Sequence, residues 1–280
     1  MSRTPIAPLF DRLVDDAAVF PPGLAPLDVA VREHLARRTG PYAAQLGPLL
    51  VPATAAAEVS RLAAGHDQTT ADPLGIGLIA RPGSPTEPVV EAVGLLRNDE
   101  RVVVHAVEVG WSDRWRELLA LEVPMVVEVG LGAEQEAALD DIAVAVDDEA
   151  DVTAKFRTGP TETWAWPDES ALGRFLDAVV LRGLSFKLTG GLHHAVRGTY
   201  EGQPMHGLLN VLLAVHEALD GAEAPELAQV LRQTDEPFVV DHVIRLGTDD
   251  VARVRASFTG YGCCGVDEPL GELAALGLVT

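Results

Sequence analysis

Lysine is nearly absent from this chain. Of 21 basic residues among 280, only Lys155 and Lys187 are lysines; the other 19 are arginines. Such a bias in an Ala- and Arg-rich chain reflects coding composition, so the scarcity carries no function. The places where the two lysines survive do. Cysteine is equally sparse. Cys263 and Cys264 are sequence neighbours, and neighbours rarely form a disulfide, so a reducing, cytoplasmic compartment is expected. No Cys-x-x-Cys spacing for zinc is present. Positive charge is also in deficit. Acidic residues number 42, giving a formal charge of −21. That balance argues against nucleic acid or anionic membrane as partner, and for a small-molecule substrate. No apolar run reaches the roughly 18 residues of a membrane span, and no basic-then-apolar leader pattern opens the chain.

What is present fits a globular protein. The chain is 48% hydrophobic and 22% charged, outside the disordered range. Eight short apolar runs predict strands at Ala17–Phe20, Pro48–Ala53, Leu74–Ala80, Arg101–Gly110, Pro124–Gly130, Asp151–Thr158, Leu184–Thr189 and Ala256–Tyr261. Helical spacing falls between them, at Asp28–Arg38, Ala55–Ala64, Glu87–Leu96, Trp111–Leu121, Ala133–Ala145, Asp168–Arg182, Gly207–Leu219 and Asp249–Arg255. Thr54, Thr86, Ser112 and Asp168 are candidate N-caps. The runs lack alternation, as expected of strands covered on both faces. Eight strand–helix repeats predict a closed parallel (β/α)8 barrel of the TIM type, with an open doubly wound sheet as the rival. The whole chain, 1–280, is expected to be one domain with an insertion at about 198–247, between the seventh and eighth strands. That insertion is expected to be a lid or a homo-oligomer contact. Asp147, Asp148, Glu149 and Asp151 suit a solvated loop at the opposite end.

Strand residues near the C-terminal edge build the site of such a barrel, and residues two apart share a face. Lys155 therefore lies on one face with Arg157, and Lys187 with Thr189, while Phe156, Phe186 and Leu188 face the helices. Two adjacent strands then bring two amines together inside the barrel. A neighbouring cation and partial desolvation lower an ammonium pKa. A neutral amine near pH 7 is what attack on a carbonyl requires. Glu108 and Glu128 close their strands and suit proton transfer. Arg157 suits a carboxylate or phosphate. Gly190-Gly191 and Gly260-x-Gly262, placed after the seventh and eighth strands, suit backbone contacts to an anion. His193 and His194 complete the candidate substrate-binding residues. A metal site drawn from Glu108, Glu128, the histidines, His206 and Asp241-His242 shows no recognisable ligand spacing, so no metal or cofactor is expected. His206 and Asn210, four apart, suit capping or packing, with lining of the pocket as the alternative. Trp164 and Trp166 suit a pocket cover or helix packing, and the cysteines suit inert burial with a nucleophile as the alternative.

The order Glu128 at a strand end, Lys155-x-x-Thr158-Gly159, then Lys187-x-Thr189-Gly190-Gly191 resembles the deoxyribose-phosphate aldolase type of class I aldolase. Leu50-Val51-Pro52 and Ile79-Ala80-Arg81-Pro82-Gly83 are similar to its second and third strands. The resemblance spans about residues 14–197. It implies a Schiff-base role for Lys155, a supporting role for Lys187 and an acidic proton relay at Glu108. Arg157, His193-His194 and the insertion depart from that family. Phe20-Pro21-Pro22 and Leu192-His193-His194 also resemble a bacterial group with Phe-Pro-Pro and Leu-His-His segments. The expectation is a lysine-dependent lyase or aldolase acting on a small anionic carbonyl compound, phosphorylated ones included. The alternatives are a non-covalent phosphate- or carboxylate-binding barrel of the phosphoribosyltransferase or isomerase type, a metal-dependent lyase or hydrolase, and a binding scaffold.

Overall fold

The computed structural model describes residues 6–160 and 166–279. Its strands are β1 (Val14–Asp16), β2 (Leu46–Pro52), β3 (Leu74–Ile79), β4 (Val102–Gly110), β5 (Met125–Glu128), β6 (Val152–Arg157), β7 (Phe186–Thr189), β8 (Gly198–Tyr200), β9 (Gln203–Met205) and β10 (Phe258–Cys263). Eight of them close into a parallel barrel in the order β1-β10-β7-β6-β5-β4-β3-β2. β8 and β9 form a separate antiparallel hairpin. The (β/α)8 barrel is therefore the fold, and the open sheet is excluded.

Around the barrel lie α1 (Leu27–Arg37), α2 (Ala56–Ala64), α3 (Gln68–Ala71), α4 (Glu87–Leu96), α5 (Glu134–Asp147), α6 (Glu169–Leu181), α7 (Leu208–Leu219), α8 (Ala224–Arg232), α9 (Glu236–Ile244), α10 (Thr248–Ser257) and α11 (Asp267–Ala275). The layer between strands and helices is apolar. Phe156 of β6 stacks on Phe175 of α6 at 4.6 Å between ring centroids, Phe175 meets Phe186 of β7 edge-on at 5.6 Å, and Phe186 stacks on Phe258 of β10 at 5.1 Å. Each such pair adds about 0.5–1.5 kcal/mol beyond area burial. These rings take the outward face, which turns Lys155 and Lys187 inward.

Three elements differ from expectation. The first barrel strand is Val14–Asp16 rather than Ala17–Phe20, which forms the turn after it. A carboxylate pair reads as loop, yet both acids are buried in β1. Asp15 faces the barrel interior, while Asp16 faces α1 and accepts from Arg37 at 3.2 Å beside His34. The stretch Trp115–Leu121 is a 3-10 helix, not an α-helix. It is pinned by Asp141, which accepts from the indoles of Trp111 and Trp115 at 2.9 and 2.6 Å and from Arg116 at 2.9 Å. β10 runs to Cys263, so Gly260 and Gly262 lie within the strand. Of the candidate caps, Asp168 accepts from the Ala171 N–H at 2.7 Å, whereas Thr86 occupies the cap position of α4 without a side-chain bond. Ser112 offers its carbonyl, not its hydroxyl, to Trp115, and Thr54 lies inside a short 3-10 turn.

The insertion holds the hairpin and helices α7 to α9. α7 and α8 pack on α6, so these helices thicken the outer layer instead of forming a lid. Asn210 ties them together, accepting from the Arg197 N–H at 2.8 Å and donating to the carbonyls of Val230 and Gln233 at 3.1 and 2.8 Å. His206 Nε2 donates to the Pro167 carbonyl at 2.8 Å. Asp147, Asp148, Glu149 and Asp151 are exposed, as a solvated loop requires. Among the described residues, no helix is long and apolar enough to cross a membrane.

Candidate active site

Register places the site in layers. Lys155 of β6 pairs with Glu128 of β5 on one side and with Lys187 of β7 on the other. One step toward the C-terminal edge, Arg157 pairs with Thr189. One step the other way, Thr153 and Ser185 hydroxyls meet at 3.1 Å. The lysines thus occupy the interior layer just beneath the barrel mouth.

Their amines meet on one carboxylate. Lys155 Nζ donates to Glu108 Oε2 at 2.8 Å, and Lys187 Nζ donates to Glu108 Oε1. Lys155 also pairs with Glu128 Oε2 at 3.0 Å. Lys187 also pairs with Asp15. Arg157 Nε donates to Glu128 Oε1 at 3.2 Å. The result is an alternating line, Asp15–Lys187–Glu108–Lys155–Glu128–Arg157, drawn from five strands. Glu108 is 1% exposed, Lys155 4% and Lys187 6%; the Arg157 side chain, at 27%, reaches toward solvent. Three cations and three carboxylates leave the line formally neutral, which is how a barrel interior can hold six charges.

The sequence did not point to Asp15. Its signal was Leu-Val-Asp-Asp, an apolar pair running into two acids. The close approach of β2 makes room for it: a β-carbon on Gly47 would lie 1.9 Å from Asp15 Oδ1.

Electrostatics overturns one expectation. Burial pulls the Lys155 pKa down, but Glu108 and Glu128 more than reverse this and leave it above the ordinary lysine value. Lys187 behaves alike: burial lowers it, and Asp15 and Glu108 raise it further than burial lowers it. A neighbouring cation alone would have freed an amine; carboxylates interleaved between the cations reverse the sign. Both lysines are therefore ammonium ions at rest. Glu108 feels burial too, yet its two ammonium partners hold its pKa down to about 2. Burial also opposes Lys155 and Arg157 at Glu128, which ends below the usual carboxylate value. Asp15 goes the other way, because burial outweighs its pairing with Lys187.

The remaining candidates divide. Gly190 and Gly191 adopt left-handed backbone, φ +71° and +78°, which favours glycine. The Gly190 N–H donates to the Gly262 carbonyl at 3.2 Å, so that donor is taken. A β-carbon on Gly191 would come within 2.8 Å of both the Thr158 carbonyl and the Trp166 ring. These glycines let the loops after β6 and β7 pack together. Trp166 is thus a cover for that turn, while Trp164 lies outside the described residues. Gly260 and Gly262 do not form an anion-binding turn. A β-carbon on Gly260 would approach the Leu13 carbonyl, and one on Gly262 would approach Leu50 and Thr189. The turn that does follow β10 enters α11 through Asp267 and Glu268, acids that repel a phosphate. The histidines are engaged there: His193 Nδ1 lies 2.7 Å from Glu268, and His194 Nδ1 lies 2.7 Å from Glu272. His194 also stacks on Tyr200. Neither histidine joins the lysine line. Asp241 and His242 lie on α9, in the insertion. Among the described residues, no three His, Cys, Asp or Glu side chains are grouped to hold a metal ion.

Comparison of the chain with protein-family models, with curated proteins and with solved structures found no match.

Proposed function

We propose that this barrel is a lysine-dependent lyase of the aldolase kind, acting on a small anionic carbonyl compound through a Schiff base on Lys155. One observation carries the reading: two lysines, the only ones in the chain, share the buried carboxylate of Glu108 beneath the barrel mouth. Buried lysines are rare, and a coding bias against lysine makes their retention in this layer more telling.

The resting ammonium state sets the first step. Lys155 must pass a proton to one of its carboxylates before it can attack. Arg157 supplies the trigger. It now holds Glu128 as well as facing solvent. A substrate carboxylate or phosphate that draws Arg157 away removes a cation from Glu128, whose proton affinity rises. Glu128 then accepts the Lys155 proton. The free amine adds to the carbonyl carbon, and the carbinolamine expels water with a proton returned by the same carboxyl group. The iminium so formed draws electrons from the bond between its α- and β-carbons as that bond breaks; Glu128, ionised again, takes the proton of the β-hydroxyl, the aldehyde fragment leaves, and protonation of the enamine followed by hydrolysis of the imine restores Lys155. Lys187 and Asp15 fix Glu108 on the far side and hold it ionised, so Glu108 faces the developing cation as a counter-charge.

The acidic turn after β10 makes a carboxylate a better match than a phosphate bound in the customary loops. The test is borohydride reduction in the presence of a panel of small oxo acids and anionic hydroxyaldehydes, read by intact mass. A stable adduct with at least one of them supports the reading; none across the panel refutes it. The raised lysine pKa values favour one competitor, an isomerase-type barrel in which ammonium groups stabilise an enolate without a covalent bond. That competitor gives substrate turnover with no trappable adduct.

A further inference from the structure

A second group of reactive side chains sits at the same mouth, apart from the lysine line. β10 ends in Cys263, and Cys264 follows it. The segment after β7 brings His193 to both. His193 Nε2 lies 3.6 Å from Cys264 Sγ, and its Nδ1 lies 3.7 Å from Cys263 Sγ and 2.7 Å from Glu268 Oε2. Glu268 projects from the first turn of α11. The order is thiol, imidazole, carboxylate, with the two ring nitrogens facing opposite partners. When Nδ1–H donates to Glu268, Nε2 is left to accept the thiol proton.

The two cysteines are not equivalent. Cys263 is buried and also contacts the Gly265 carbonyl through Sγ at 3.4 Å. Cys264 is partly exposed. The turn after β1 crowds it: a β-carbon on Gly23 would lie 3.2 Å from Cys264 Cβ. A partly open thiol under such a cover admits the smallest electrophiles first. Its backbone neighbour Cys263 is a poor disulfide partner, because adjacent Cα atoms sit about 3.8 Å apart, below the usual disulfide span.

We propose that Cys264 is a peroxide-reactive thiol, with His193 as its proton acceptor and Glu268 as the residue that orients His193. In the step, the Cys264 thiol proton passes to His193 and the sulfur attacks one oxygen of a hydroperoxide. The S–O bond forms as the O–O bond breaks. The leaving oxygen takes the proton from His193 and departs as water or an alcohol, and Cys264 is left as a sulfenic acid. Neither lysine takes part, so this site stands independently of the Schiff-base reading.

The experiment exposes the full-length native protein to hydrogen peroxide, traps sulfenic acid with dimedone and maps the adduct by peptide mass. The label is expected on Cys264 and absent in Cys264→Ser. It should form more than about tenfold faster than on free cysteine, of which only ~3% is thiolate at pH 7. His193→Gln and Glu268→Gln should each slow labelling, with Glu268→Gln carrying the test if the other variant does not fold. Label on Cys263 instead, a rate equal to that of free cysteine, or a Glu268→Gln protein that labels at the wild-type rate would overturn the proposal.

Discussion

Replacing Glu108 by glutamine removes one charge from the centre of the six-residue line while keeping the side chain's shape. The carboxylate is buried and receives an ammonium on each oxygen. Its pKa is held at about 2 against an ordinary 4.5. Because the folded value is depressed, the stabilisation is present above the unfolded pKa and is lost as pH falls toward the folded one. The difference between 4.5 and about 2, at ~1.36 kcal/mol per pH unit, gives about 3 kcal/mol at neutral pH. Removal of one partner from a buried ion pair gives a similar figure, roughly 3–5 kcal/mol. Urea denaturation of the wild-type and Glu108→Gln proteins across pH 7 to 3 reads the difference directly. The gap should be about 3 kcal/mol at pH 7 and shrink to about 1 kcal/mol at pH 3, which lies about one pH unit above the folded value. The difference between the proteins isolates this group from the other acids that titrate in the same range. A gap below about 0.5 kcal/mol, or one that does not change with pH, would refute the bridging role.

Other perturbations have distinct expected outcomes. Gly47→Ala puts a methyl group into Asp15; displacing that carboxylate from Lys187 should lower stability by about 1–3 kcal/mol, measured by urea midpoint. Lys155→Ala leaves Glu108 and Glu128 short of a buried cation; a loss of about 3 kcal/mol is expected along with loss of any borohydride adduct, so the variant needs a stability measurement beside the activity assay. Arg157→Ala should raise KM for an anionic substrate by about 10- to 100-fold, the range of a charge-assisted hydrogen bond; an unchanged KM would remove Arg157 from substrate binding. Asp141→Asn weakens the clamp on Trp111, Trp115 and Arg116; a destabilisation of about 1–3 kcal/mol with unchanged adduct formation would mark it as structural only.

The legible part of the site was the part written in period-two alternation. Lys155 with Arg157, and Lys187 with Thr189, sit on regular strands flanked by Phe156, Phe186 and Leu188, so their inward face followed from the pattern. Glu108 and Glu128 followed from being acids at the ends of apolar runs. Asp15 is not legible, because β1 has three residues and two of them are carboxylates; their partners, Lys187 for Asp15 and His34 with Arg37 for Asp16, come from other segments of the chain. The end of β10 is hidden in the sequence for a related reason. Glycine in a strand resembles a turn, yet Gly260 and Gly262 are strand residues whose missing side chains admit Leu13, Leu50 and Thr189. The sign of the lysine pKa shift was beyond the sequence altogether. It depends on whether cations or carboxylates lie nearest, and only the register of β1, β4 and β5 against β6 and β7 decides that.

Only Lys155, Lys187 and the terminal amine of the chain can form a reducible imine, which makes the decisive measurement unusually clean. Peptide mapping of borohydride-treated protein with bound carbonyl substrate should place the added mass on Lys155 alone, with Lys187 unmodified. Mass on Lys187, or a substrate that turns over with both lysines unmodified after reduction, would contradict the assignment of Lys155 as the nucleophile of this barrel.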